Sequence, residues 1–350
     1  MDTLTTEMVA SLLRASGSAV VCTRGGRVEF LTPAAERILG GDFAGQSAAA
    51  ILPERLLRLQ GSLGAASWHC RRGDGVVTRS GAGLYKFFFL HLAPPPRRMS
   101  PLPLPEWTEL ANLHMAAEQL KNAAKDGSEA EQLHAAQMMK SYYRLHRWFS
   151  NVSTLSALQE GTLPFQPTAT SCAALLGRIA QQLTPLAESR GIRVITELPE
   201  QTPQLLLDET LLERMLMNLL LNSLTHCKSG CRIRLGLALS DETVTFTVQD
   251  TGSGISPEAM GLLFTAYDAA PDPTAQTGCG LPVALGITRL HDGELLIEST
   301  PGTGTAVLIT LPRRAPEHIS VQSEKPNYDH EDLAWFYSGL ADALEETDLT

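Results

Sequence analysis

From Ala19 to Leu31, two apolar-rich runs flank Arg24-Gly-Gly26, which predicts a strand, a tight turn and a second strand. Thr32-Pro-Ala-Ala-Glu-Arg-Ile-Leu39 then reads as a helix, with threonine suited to the N-cap, proline to the first helical position and Gly40-Gly41 to the end. Further strands are predicted around Ser67–Arg71, Val76–Arg79 and Tyr85–Leu92. The pattern then changes. Pro94-Pro-Pro96 and Pro101-Leu-Pro-Leu-Pro105 bracket a stiff, extended linker. Beyond it, Leu110, Leu113, Ala117, Leu120 and Ala124 recur at alternating steps of three and four, as do Ala135, Met138, Tyr142, Leu145, Phe149 and Val152 after Asp126-Gly-Ser128. A narrow seam with a mean period of about 3.5 predicts two helices of a coiled coil or bundle. Two helices cannot enclose such a core, so association of two chains is expected, with a hairpin packed on its own chain as the alternative.

From Thr162 a third pattern sets in. Ser171–Ser189 reads as an amphipathic helix, Ile192–Thr196 as a strand and Asp208–His226 as a long apolar helix. Strands are predicted at Cys231–Ala238 and Thr243–Gln249, then a helix over Pro282–Leu290 and a hairpin of Glu294–Ser299 with Thr305–Leu311. This alternation predicts a mixed sheet with helices on one face, an α/β sandwich, within a multidomain α+β chain.

Composition narrows the classes. A hydrophobic share of 43% with 19% charged residues is that of an ordinary soluble protein. No window approaches 18 uncharged apolar residues and no charged-then-apolar leader follows Met1, so no membrane association is expected and the expected location is cytoplasmic. The formal charge of −10 argues against a general nucleic-acid binder. Eight acids against Lys325 alone put −7 of that charge beyond Val321, where Leu333, Trp335, Phe336, Leu340, Ala343 and Leu344 outline a short amphipathic helix. Cys227, Cys231 and His226 lack a fourth ligand at metal-site spacing, which leaves the six cysteines as structural thiols.

Three blocks carry chemistry: Asn218-Leu-Leu-Leu-Asn222 in the apolar helix, Asp250-Thr-Gly-Ser-Gly-Ile255 after a strand, and Gly278-Cys-Gly-Leu281 before a helix. Two amides on an apolar helix are either paired core groups or ligands of a hard cation, since Mg²⁺ takes oxygen ligands. A carboxylate accepts hydrogen bonds and adenine's exocyclic amine donates them. Glycines ahead of a helix let backbone N–H groups approach phosphate. The order and spacing of these blocks resemble the N box and two glycine boxes of the histidine-kinase type of ATPase, the GHKL superfamily with its Bergerat-type sandwich, shared with gyrase, heat-shock chaperones and mismatch-repair ATPases. The resemblance implies ATP and Mg²⁺ as cofactors. Asn222 would hold the metal, with Asn218 one turn earlier as a catalytic neighbour; Asp250 would read adenine over Gly252 and Gly254, with Ile255 flooring the pocket. Gly278, Gly280 and Leu281 fall in the phosphate-binding box, and Thr305, in Pro301-Gly-Thr-Gly-Thr305, assists adenine binding. Leu262-Leu-Phe264 resembles the F box, and Tyr267–Thr277 a short lid. The family often carries lysine and an aromatic after the metal asparagine; Thr225 and His226 stand there, leaving His226 to stack or hydrogen-bond and Lys228 to replace part of the charge.

The N-terminal pattern of two strands, a short helix ending in Leu-Gly and returning strands resembles a PAS domain. The expected organisation is a PAS-like sensor or interaction domain over 1–93, a linker over 94–105, a dimerisation hairpin over 106–160, the ATPase domain over 161–314 and an acidic tail over 315–350. The family's phosphoacceptor is a histidine on the first hairpin helix, followed by an acid. His114 lies on that helix, about a hundred residues before Asn222, yet Met115-Ala-Ala-Glu118-Gln119 follows it, so Glu118 is the nearest acid, one turn on. A homodimeric sensor histidine kinase of two-component signalling, with a response regulator as partner, is therefore expected. A catalytically silent ATP-binding scaffold is the alternative, and an ATPase of the chaperone or repair kind is disfavoured by asparagine where a glutamate base would stand.

Overall fold

Residues 13–14, 17–59, 63–70, 73–80, 85–92, 104–125, 127–199, 202–256, 259–260 and 279–316 are described by a computed structural model. The linker up to Pro103, Leu262–Phe264, the lid over Tyr267–Thr277, Gly278 and the acidic tail from residue 317 onward lie outside the described residues.

β1 (Val20–Arg24) and β2 (Arg27–Leu31) form the predicted hairpin, and α1 (Pro33–Leu39) follows it. A single hydroxyl organises this corner: Thr32 Oγ1 accepts from the N–H of Ala35 to cap α1, accepts from the N–H of Val20 at 2.9 Å, and donates to the carbonyl of Ser18 at 2.7 Å. After α2 (Glu54–Arg58), β3 (Leu63–Cys70), β4 (Gly73–Ser80) and β5 (Tyr85–Leu92) return, giving the order β2-β1-β5-β4-β3 with antiparallel neighbours throughout.

Two long helices come next, α3 (Leu104–Ala124) and α4 (Glu129–Glu160). A reciprocal capping box starts α4, with the N–H of Ser128 donating to Glu131 Oε2 at 2.7 Å and the N–H of Glu131 donating back to Ser128 Oγ. The chain itself covers only part of the predicted seam. Leu110, Ala117, Ala135, Tyr142 and Val152 are buried, whereas Leu113, Leu120 and Leu145 remain 47%, 49% and 44% exposed.

The remaining strands and helices alternate. They are β6 (Thr168–Thr170), α5 (Cys172–Ser189), β7 (Arg193–Glu197), β8 (Leu205–Leu207), α6 (Glu209–His226), β9 (Arg232–Leu239), β10 (Thr243–Asp250), α7 (Gly280–Leu290), β11 (Glu294–Thr300) and β12 (Gly304–Pro312). The order β11-β12-β10-β9-β7 is antiparallel except for the parallel pair β7–β9, so the sheet is mixed as the alternation predicts. Along β10 the even-numbered side chains Val244, Phe246, Val248 and Asp250 are buried and the odd-numbered ones only half-buried. The small sheet of β6 and β8 is absent from the sequence-based reading, because three-residue strands are too short to show a period.

Hydrogen bonding also continues between the N-terminal and C-terminal strands. β3 pairs antiparallel with β11, placing Gly64 opposite Glu298 and Ala66 opposite Leu296, so among the described residues ten strands form one sheet. The period of two divides its two faces. Ala65 belongs to the core formed with the helices from α3 to α7, while its neighbour Ala66 packs with Leu296, Val77 and the N-terminal helices.

His291, just past α7, ties that helix to the start of α6. Its Nδ1 lies 2.9 Å from the carbonyl of Ile287 and must donate, which leaves Nε2 to accept from the N–H of Asp208 at 3.2 Å. The bond accepted by Nε2 selects the neutral ring, and burial pushes the pKa of His291 below its ordinary value, partly offset by the Ile287 carbonyl. His146 is pushed down to about 4, by burial first and then by Arg214 and His114. The unfolded chain takes up these protons first, from about pH 6.5 downward. The stability contributed by neutral His291 is therefore present above that pH and lost as the pH falls toward its folded pKa. The urea midpoint is expected to fall between about pH 7.5 and pH 5.5, and to fall less steeply in His291→Gln; equal slopes would reject this role for His291.

Candidate nucleotide site

α6 begins with Asp208, whose Oδ1 accepts from the N–H of Leu211 at 3.0 Å, and its buried length from Leu211 to Leu224 is apolar except at Asn218 and Ser223. A primary amide in that setting needs partners, and Asn218 finds them on α4. Asn151 Nδ2 donates to Asn218 Oδ1 at 3.2 Å, Asn218 Nδ2 donates back to Asn151 Oδ1 at 3.3 Å, and the same Nδ2 reaches the carbonyl of Arg214 at 3.1 Å. One turn further on, half-buried Asn222 accepts on Oδ1 from the guanidinium of Arg147, also on α4, at 3.4 Å. Arg214 donates to the carbonyl of Ser150 and to the hydroxyl of Thr154. Burial lowers its pKa to about 10, so it stays charged at neutral pH.

The second block lies where β10 ends, with Asp250 opposite Thr305 of β12 and only 7% exposed. Ser223 Oγ donates to Asp250 Oδ2 at 3.0 Å and the N–H of Gly252 donates to Oδ1 at 2.9 Å, so both carboxylate oxygens are held in place. Burial pushes the Asp250 carboxyl above its ordinary pKa, partly offset by the Gly252 N–H, the Ser223 hydroxyl and the Thr305 backbone. The thiol of Cys227 nearby is pushed up to about 12, by burial first and then by Asp250, which keeps it a protonated thiol.

Gly252 and Gly254 make room for protein backbone. A Cβ at Gly252 would lie 2.6 Å from the carbonyl oxygen of His226, and one at Gly254, where φ is +67°, would lie 2.3 Å from that of Thr300. These approaches dock the Asp250–Ile255 loop against the end of α6 and the β11–β12 turn. The N–H of Ser253 donates to the carbonyl of His226, and the N–H of Ile255 donates to Ser299 Oγ at 2.9 Å. Ser299 in turn donates to the carbonyl of Gly304 and lies 3.0 Å from Thr305 Oγ1.

Two groups of sequence-predicted residues thus converge along α6. Asn218 and Asn222 face α4 and the start of α7, where a Cβ on Gly280 would come within 3.1 Å of Asn218 Oδ1 and where Leu281 is buried. His226, Asp250, Gly252, Gly254, Ile255 and Thr305 surround the helix's far end. Gly278 lies outside the described residues. His114 is held by α4 instead, stacked on Tyr142 with ring centroids 4.7 Å apart, and its Nε2 lies 3.8 Å from Glu118 Oε1. Sequence reasoning missed Ser223, Ser299, Arg147 and Asn151. Ser223 alone carried a signal, as a hydroxyl next to Asn222 on the apolar helix.

Residues 207–315 match the family described as histidine kinase-, DNA gyrase B-, and HSP90-like ATPase. The alginate biosynthesis sensor protein KinB of Pseudomonas aeruginosa is 27% identical over 206 residues, covering 59% of this chain and 35% of KinB. The sensor histidine kinase MtrB of Mycobacterium tuberculosis is 26% identical, covering 59% of this chain and 37% of MtrB. The adaptive-response sensory kinase SasA of Prochlorococcus marinus is 27% identical, covering 57% of this chain and 56% of SasA. The chain thus spans little more than a third of the first two relatives and just over half of the third. Among solved structures, full-length ShkA in complex with AMPPNP aligns with a TM-score of 0.49 at 21% identity, covering 59% of this chain and 44% of ShkA. Among the described residues no helix is long and apolar enough to cross a membrane. The chain is accordingly similar to sensor histidine kinases over 59% of its length, and its residues 207–315 match the ATPase family of the histidine kinase, DNA gyrase B and HSP90 type.

Proposed function

We propose that this chain is an ATP-dependent histidine kinase of two-component signalling that works as a homodimer in the cytoplasm, takes its phosphoryl group from Mg-ATP and passes it to a response regulator. The observation that carries this reading is the hydrogen bond from Ser223 to Asp250, because it joins the metal-site helix to the adenine-reading loop in one constellation. The donor set fits the cofactors. Asp250 is a buried carboxylate whose orientation three local donors already fix, suited to accept from an exocyclic amine. Asn222 Oδ1 is a neutral oxygen of the kind Mg²⁺ takes. His226, exposed at the end of α6, lines the approach to Asp250.

Bound ATP supplies the phosphoryl group; the remaining tasks fall to the chain. Asn218 and Asn222 cannot accept a proton, so they leave water unactivated and favour transfer over hydrolysis. Glu118 stands within one side-chain adjustment of the imidazole of His114, the proposed acceptor, and can take its ring proton. Exposed Leu113, Leu120 and Leu145 on the hairpin fit a seam completed by a second copy. In the N-terminal part, the succession of two strands, two short helices and three returning strands supports a PAS-like interaction domain.

Three measurements test this reading. Asp250→Ala should weaken Mg-ATP binding by about tenfold or more in calorimetric titration, as expected for a lost hydrogen bond to a charged group. Incubation with γ-labelled ATP should leave acid-labile label on the protein, absent in His114→Ala. Binding without label would instead favour the silent scaffold, and multiple-turnover phosphate release an ATPase. Finally, the paired change Leu113→Glu with Leu120→Glu should halve the mass seen by light scattering; a monomeric wild type would sink the dimer.

A further inference from the structure

We propose that Arg147, which belongs to hairpin helix α4 and not to the ATPase domain, is the residue that binds the nucleotide's polyphosphate. This deepens the nucleotide reading and rests on it. A triphosphate carries several negative charges, and the positions where the family often places a cation and an aromatic hold Thr225 and His226. Thr225 turns its hydroxyl back to the carbonyl of Leu221, and Lys228 is exposed beyond the end of α6. Arg214 is committed to Ser150 and Thr154.

Arg147 is placed differently. Its guanidinium donates to Asn222 Oδ1, and its charge also acts on Cys279, the N-cap residue of α7, where it lowers a thiol pKa that burial raises. The side chain therefore stands between the metal-site asparagine and the start of α7. Those are the two features to which the sequence assigns metal and phosphate. One turn along α4, the amide pair of Asn151 with Asn218 fixes the register that aims Arg147 there. A guanidinium offers a planar fork of five donors that matches two phosphate oxygens at once.

The contact with Asn222 is long, at 3.4 Å, and is correspondingly easy to exchange. Asn222 Oδ1 is also the atom proposed for Mg²⁺, and two cations cannot share it without anionic oxygens between them. Nucleotide binding then moves the guanidinium from the amide oxygen onto phosphate and releases that oxygen to the metal. The triphosphate becomes a bridge between the hairpin and the ATPase domain, so nucleotide occupancy and the position of α4 are thermodynamically coupled.

The test is calorimetric titration of the full chain with adenosine, ADP and ATP, each with and without Mg²⁺. It compares wild type with Arg147→Ala, Arg147→Lys and Asp250→Ala. Loss of the guanidinium is expected to weaken ATP by about tenfold to a hundredfold, with adenosine unchanged and part of the affinity restored by lysine. Unchanged adenosine affinity shows that the variant is folded; if Arg147→Ala does not fold, Arg147→Gln takes its place with the same expectation. ATP affinity that is unchanged or higher without the guanidinium overturns the proposal, as does an equal loss for adenosine and ATP. A wild type with no saturable binding, or one that Asp250→Ala leaves unaltered, refutes the nucleotide reading itself and takes this proposal with it.

Discussion

A primary amide buried on an apolar helix must be satisfied, and the pairing of Asn218 with Asn151 meets that demand. Leaving both amides without partners in this interior would cost a few kcal/mol, on the order of ~2–7 per group in an apolar medium. Hydrophobic packing alone lets α4 slide or rotate over α6. The amide pair does not, because its two reciprocal bonds are directional. With that register set, Ser150 and Thr154 meet Arg214 on one side and Arg147 meets Asn222 on the other. The polar groups at the heart of the site are therefore positioned jointly by two helices that are far apart in the chain.

The Asp250 end of the site is built on another principle. Its fixed points are backbone groups, held where strands end. Asp250 is the last residue of β10 and faces Thr305 across the ladder, so its carboxylate inherits the register of the sheet. Ser299 on β11 repeats the device by receiving the N–H of Ile255 and donating to the carbonyl of Gly304. The same β11 carries β12 on one edge and β3 on the other. The loop that holds Asp250 and the N-terminal strands are thus attached to one strand from opposite sides.

Legibility differed according to the range of the interaction. Thr32, Ser128 and Asp208 act within three residues of themselves as helix caps, and Asp208 and Thr32 were recognisable as helix starts from their immediate neighbours. The alternation along β10 showed as a period of two, and the box residues stood out because unlike chemistries recur in a fixed order. Ser299 looks like any serine in a strand until the Asp250–Ile255 loop folds over it. β6 and β8 are too short to carry a period, and their pairing joins residues almost forty positions apart, Thr168 with Leu207. The glycines at 252 and 254 were visible as special positions, but what approaches them, the carbonyls of His226 and Thr300, was not.

The sequence by itself determined most element types, the helix starts at Thr32 and Asp208, the two-helix pattern and the ordered blocks that resemble an ATPase site, because each follows from local periodicity or from residue chemistry at short spacing. Only the tertiary structure decided that β3 joins β11, that Leu113, Leu120 and Leu145 of the seam stay exposed, and that Arg147 and Asn151 approach Asn222 and Asn218 from α4. Those outcomes depend on directional bonds between residues as many as 75 apart, as from Arg147 to Asn222, or more than 200 apart, as from Ser67 to Leu295. No pattern along the chain encodes such a pairing before the backbone brings the partners together.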